Sequence, residues 1–164
     1  MTRVEWPLRR GRPSVEIMLQ LAATGQLYSR VLLADTGADA QSFAIDLILD
    51  EDDCLLCGFL SVRSVVLGGA YSGSYPIYSI PVQIPALGFA INLWAVGVPS
   101  VPAGFDGIAC FRFLNRFHYG NFGDAGVFGL ERRERSKRGS LLPRFCSNFN
   151  ILSARAFRKH TQTA

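Results

Sequence analysis

The run Leu32-Leu33-Ala34-Asp35-Thr36-Gly37-Ala38-Asp39 carries an apolar stretch straight onto an aspartate at a tight turn. A carboxylate held in that position could act as an acid or a base. Thr36 is placed to lock the turn by hydrogen bonding, and Gly37 leaves the backbone open to close approach by another chain. By itself Asp-Thr-Gly is a common tripeptide that marks only a strand-ending turn. Other residues with chemical potential are thinly spread. Cys54-Leu-Leu-Cys57 has the spacing of a metal or redox pair, but Cys110, Cys146, His118 and His160 form no second close pair to complete a zinc site. The surroundings also lack the βαβ pattern of a thioredoxin-like motif, so ordinary buried thiols are expected. The acidic run Asp50-Glu51-Asp52-Asp53 lacks the alternating spacing and distal Glu of a calcium loop and reads as a solvated loop or a helix start. No metal and no cofactor is expected. With two histidines, one in an apparent helix and one near the chain end, a Ser-His-Asp or Cys-His hydrolase is disfavoured.

The elements that must position Asp35 read as mainly β. Residues 15–21 alternate apolar and polar as a half-buried strand does, and Thr24-Gly25-Gln26 then makes a turn. Residues 28–34 form a second strand, with Val31, Leu32 and Leu33 as its buried stretch. Residues 62–67 and 75–84 are two strands around the glycine-rich tip Gly68-Gly69-Ala70-Tyr71-Ser72-Gly73-Ser74, a mobile hairpin. No Gly-Lys-Ser/Thr follows that tip, which excludes a phosphate-cradling loop. Residues 89–98 are a further strand. Phe111, Leu114 and Phe117 recur at helical spacing and predict a helix over 111–118, ended by Gly120. Residues 121–130 read as a hairpin turning at Asp124-Ala125-Gly126.

The chain has 164 residues, 49% of them hydrophobic and 18% charged, which suits one folded domain. Its net charge of +4 is unevenly spread: residues 13–130 hold four Arg against ten Asp and Glu, while residues 131–164 hold nine Lys and Arg against two Glu. The expected organisation is a basic, irregular N-terminal arm over residues 1–13, a domain over 14–131, and a basic, poorly ordered tail over 132–164. The N-terminus shows no export signal, and no apolar run reaches the roughly 18 residues that span a bilayer. A cytoplasmic protein without a membrane partner is therefore expected.

On Asp35-Thr36-Gly37, with its apolar lead and the Ala38-Asp39 that follows, the chain resembles the retropepsin-like aspartic peptidases. Residues 68–74 sit where that family has its flap. Phe105-Asp106-Gly107-Ile108-Ala109-Cys110 with the following helix resembles the second family signature, in which two apolar residues and a glycine precede a short C-terminal helix. The likeness covers residues 15–130 and leans towards bacterial members of the group. It implies a closed β-barrel subunit with a flap hairpin and one short C-terminal helix. It further implies Asp35 as the catalytic residue, Thr36 and Gly37 as the active-site turn, and Ala38, Asp39, Gly68, Gly69 and Tyr71 as substrate-binding positions. Cys110 stands where the family has a glycine that lets the chain pass beneath the catalytic turn. Phe111 stands where it has an arginine that helps hold the counterpart of Asp39 and the dimer; Arg112 is one position later.

The implied reaction needs two carboxylates in one site. Like charges about 3 Å apart cannot both ionise, so one proton is shared. The ionised member acts as base on a water and the protonated member polarises the peptide carbonyl. One Asp-Thr-Gly supplies half of this pair, and a two-fold axis beside Asp35 would supply the rest from a second copy. The expected partners are thus a second copy and an extended peptide or protein substrate lying beneath residues 68–74 as an added strand. Two other readings compete. Cys110 and Phe111 suit a catalytically weak or inactive dimeric binding module of the same fold. The basic tail, where Phe145 to Phe157 interleave aromatic residues with Arg, suits nucleic-acid binding, or a short amphipathic helix packed on the body.

Overall fold

The computed structural model describes residues 2–38 and 43–132; Asp39 and the tail from residue 133 onward lie outside the described residues. The chain before residue 133 is mainly β. Its strands are β1 (Arg3–Pro7), β2 (Ser14–Gln20), β3 (Leu27–Asp35), β4 (Leu47–Asp50), β5 (Phe59–Leu67), β6 (Gly73–Ile84), β7 (Phe89–Val98), β8 (Gly107–Cys110), β9 (Phe117–Gly120) and β10 (Val127–Arg132). Two short helices, α1 (Glu51–Cys57) and α2 (Phe111–Leu114), interrupt them.

The strands form two sheets, one of seven in the order β2-β3-β8-β4-β7-β6-β5 and one of three in the order β1-β10-β9. The closed barrel implied by the family likeness is not what forms. Only Met18–Gln83 and Leu19–Val82 join β2 to β6, too short a seam to make a continuous barrel wall. The irregular arm expected over residues 1–13 is also corrected: β1 pairs with β10 from Arg3–Glu131 to Pro7–Val127. Val4 and Trp6 alternate inward against the core while their neighbours face water, a period of two that the surrounding arginines mask in the sequence. Arg132, assigned to the tail, is the last residue of β10 and donates to Leu87 O.

The helix expected over 111–118 is a single turn. Phe113 and Phe117 are both buried and meet Phe89 edge-to-face, with ring centroids 6.0 and 5.1 Å away. A turn followed by a strand buries the same residues that a helical stripe would, so the periodicity could not separate the two. His118 falls on β9, as does Gly120.

The acidic run resolves as a helix start. Asp50 caps α1 by accepting from Asp52 N–H, and carboxylates populate the first turn where the helix dipole favours them. Asp53 faces inward and pairs bidentately with Arg30 of β3, Nε to Oδ2 at 2.7 Å and Nη2 to Oδ1 at 2.8 Å. Tyr28 donates its hydroxyl to Asp53 at 3.2 Å and lies 2.8 Å from Cys57 Sγ. Burial pushes the Tyr28 phenol and the Cys54 thiol upward. Cys54 and Cys57 are buried and unbridged. Arg30→Met strands the Asp53 carboxylate. Because Arg30 is one-third exposed, water partly replaces it, and the expected loss is about 2 kcal/mol rather than the roughly 3–5 of a fully buried pair. Urea denaturation checks this; an unchanged midpoint would contradict it.

Candidate active site

Strand β8 determines where Asp35 stands. It lies between β3 and β4, parallel to the first and antiparallel to the second, with Asp35 opposite Cys110 and Leu47 opposite Ala109. All four residues of β8 are buried, which requires the uninterrupted apolar run of a strand covered on both faces. Gly107 makes the insertion possible. A Cβ there would meet Ile48 O at 2.5 Å and Leu49 Cδ2 at 2.8 Å. Gly107 is thus the point of close approach between β8 and β4, whereas Cys110 is the β8 residue paired with Asp35. Cys110 has ordinary extended backbone, φ −77° and ψ 165°, and is fully buried in the core.

At the end of β3 the chain turns. Asp35 Oδ1 accepts from Gly37 N–H at 2.8 Å, and Asp35 O accepts from Ala38 N–H at 3.4 Å. Ala38 O in turn accepts from Phe111 N–H at 3.2 Å, tying the turn to the start of α2. Asp35 itself thus supplies the acceptors of these turn bonds; Thr36 is exposed on the turn. A Cβ at Gly37 would stand 3.3 Å from Asp35 Oδ1, crowding one face of the carboxylate.

Facing the turn is the tip of the β5–β6 hairpin, a short 3₁₀ turn over Gly69–Tyr71. Asp35, Gly37, Ala38, Gly68 and Tyr71 line one cleft of about 210 Å³, walled by Ile48, Leu67 and Ile108. Gly69 lies on the same tip with φ 64°, and Ala70 takes its place in the lining. Burial raises the Tyr71 phenol further above its ordinary range, and its hydroxyl can donate a hydrogen bond into the cleft. The cleft is smaller than the ~300–1,000 Å³ of ordinary small-ligand sites.

No family model matches the chain, and no curated protein or solved structure compared with it matches either.

Asp46 is a site-positioning residue that the sequence reading passed over. It is buried; its Oδ1 accepts from Arg116 Nη2 at 2.8 Å, and its Oδ2 accepts from Trp94 N–H at 3.1 Å. Its carbonyl accepts from Cys110 N–H at 3.0 Å, so one residue joins β7, the segment between α2 and β9, and the strand beside Asp35. Arg112 reaches Ala44 O and approaches the same carboxylate at 3.7 Å. The available signal was a lone charge inside the apolar residues 43–49. Among the described residues no group of three or more His, Cys, Asp or Glu could hold a metal ion, and no helix is long and apolar enough to cross a membrane.

Proposed function

We propose that this chain is one subunit of a retropepsin-like aspartic endopeptidase, active as a homodimer in which two copies of Asp35 activate the attacking water. The observation that carries the reading is the cleft in which the Asp35-Thr36-Gly37 turn and the Gly68–Tyr71 tip face one another. A carboxylate presented at the mouth of an apolar cleft suits acid–base chemistry on an extended peptide. The tip opposite offers backbone groups to pair with that peptide as an added strand.

Asp35 is half of the required pair, and the small volume of the cleft suits half of a site. In the dimer, one carboxylate takes a proton from water while the other donates its proton to the carbonyl oxygen. The water oxygen bonds to the carbonyl carbon, and the resulting diol collapses with cleavage of the C–N bond and proton transfer to the departing amine. No covalent enzyme intermediate forms.

The direct test is incubation of the full chain with an unfolded protein at mildly acidic pH, with and without a statine-type transition-state mimic. Cleavage blocked by the mimic is the expected result; no cleavage at any concentration would retire the reading. The dimer adds a separate expectation. Below the dimer dissociation constant, specific activity should fall in proportion to protein concentration, in step with a monomer–dimer equilibrium seen by sedimentation. A strictly monomeric protein with constant specific activity would remove the second Asp35 from the mechanism.

A further inference from the structure

Residues Arg9-Arg10-Gly11-Arg12 close a tight turn. Arg9 N–H donates to Arg12 O, and Arg12 N–H to Arg9 O, both at 3.0 Å. Arg10 and Gly11 have φ of 53° and 72°, the paired positive values that two-residue hairpin turns favour. Glycine adopts them freely, whereas Arg10 does so at a cost of about 1 kcal/mol. Backbone strain at an exposed charged residue points to use of its side chain.

The three arginines are exposed and held together. The guanidinium groups of Arg9 and Arg12 lie 6.0 and 5.9 Å from the Phe105 ring centroid. That of Arg10 lies over Gly104, 2.9 Å from where a Cβ would stand. None of the ion pairs among the described residues involves any of the three. The turn is a preformed cationic surface whose charge no carboxylate of the described fold neutralises.

Its position gives that charge a use. Strands β2 and β3 are antiparallel with Ser14 opposite Leu33, and Pro13 O accepts from Ala34 N–H at 3.0 Å. The turn therefore precedes β2 at the same end of the sheet where β3 delivers Asp35. Phe105, on which two of the arginines rest, is fixed by the neighbouring bond from Asp106 N–H to Val31 O at 2.9 Å. Val31 is four residues before Asp35, roughly 13 Å along a strand. An extended peptide leaving the cleft covers that distance in about four residues.

We infer that the arginine turn is an exosite for acidic peptide segments flanking the bond to be cut, an inference that rests on the peptidase reading. A peptide rather than a phosphate backbone is the expected occupant because the peptidase reading supplies one, and Glu16, which lines the adjoining cleft with Trp6, Leu8 and Arg9, can accept hydrogen bonds from peptide N–H groups.

Binding to the full chain carrying Asp35→Asn tests this without cleavage. The probes are a fluorescein-labelled peptide rich in Glu, the same peptide with Gln in place of Glu, and a single-stranded oligonucleotide of equal charge. Exposed ion pairs of this kind predict about 10-fold tighter binding of the Glu peptide at low salt. Adding Arg9→Gln and Arg12→Gln should bring the two peptides to parity with an unchanged circular dichroism spectrum. Parity before those changes would overturn the inference. So would a Glu preference that survives them undiminished, which would assign binding to cations other than Arg9 and Arg12. An oligonucleotide that binds more tightly than the Glu peptide through Arg9 and Arg12 would assign the turn to phosphates instead. The peptidase reading fails separately. Wild-type protein that cleaves neutral unfolded chains without acidic preference defeats the exosite alone. Protein that cleaves nothing yet binds the Glu peptide through the turn defeats the peptidase alone.

Discussion

Asp35→Asn is expected to abolish peptide cleavage while leaving the fold intact. Asparagine keeps an oxygen where Asp35 Oδ1 accepts from Gly37 N–H, so the turn bond survives. What is lost is the ability to take up and release a proton. A positioned acid or base contributes on the order of 10²–10⁴-fold, and a homodimer carries the substitution twice, so a loss of about 10⁴-fold or more is expected. Mixing adds a sharper readout. If subunits exchange, equal amounts of wild-type and Asp35→Asn chains leave only about one dimer in four with two aspartates. Activity should then fall below that of the wild-type chain at the same concentration without the variant. Full activity in Asp35→Asn would end the aspartic mechanism, and mixing that changes nothing would end the shared site.

Gly107→Ala is expected to have the largest effect on stability. The added methyl would stand 2.5 Å from Ile48 O and 2.8 Å from Leu49 Cδ2, and a backbone carbonyl has no flexible end to move aside. β8 would have to withdraw from β4, breaking the pairing of Gly107 with Leu49 and loosening that with Leu32. Overpacking against backbone at this range is expected to cost about 3 kcal/mol or more, a large share of the roughly 5–15 kcal/mol that holds a domain folded. Melting temperature should drop by about 10 °C. Activity should fall further than stability alone explains, because β8 positions Asp35. Cys110→Gly is the control. It removes a buried side chain from an extended backbone that glycine does not need, so stability should fall by about 1–3 kcal/mol with no gain in rate. A Gly107→Ala protein that melts like wild type would show that the strand insertion tolerates a side chain.

The strand pattern was readable because each strand buries one face. Residues 89–98 and the β5–β6 hairpin follow directly from runs of apolar and β-branched residues bounded by Gly and Pro. The Asp35 turn was readable for the same reason, since an apolar run that stops at Asp-Thr-Gly leaves few other conformations. Local pattern misled where two structures bury the same residues. Phe113 and Phe117 pack on Phe89 from a turn and a strand as well as they would from a helix. It also failed where the partner is remote. β1 finds its hydrogen bonds in β10, more than a hundred residues later, and Asp46 finds its cations more than sixty residues later in Arg112 and Arg116.

By itself the sequence determined that the chain folds mainly as β strands, that a carboxylate ends one of them on a glycine turn, and that only one such turn is present. These depend on local chemistry: side-chain alternation, glycine freedom and the identity of a single residue. The tertiary structure decided that β8 lies between β3 and β4, that Gly107 is where β8 comes too close to β4 to carry a side chain, and that the hairpin tip faces Asp35 across a cleft. It also decided that the arginines of the N-terminal turn stand together without carboxylate partners. Each of these is a contact between residues far apart in the chain, fixed by packing and hydrogen bonding that only the assembled sheets supply.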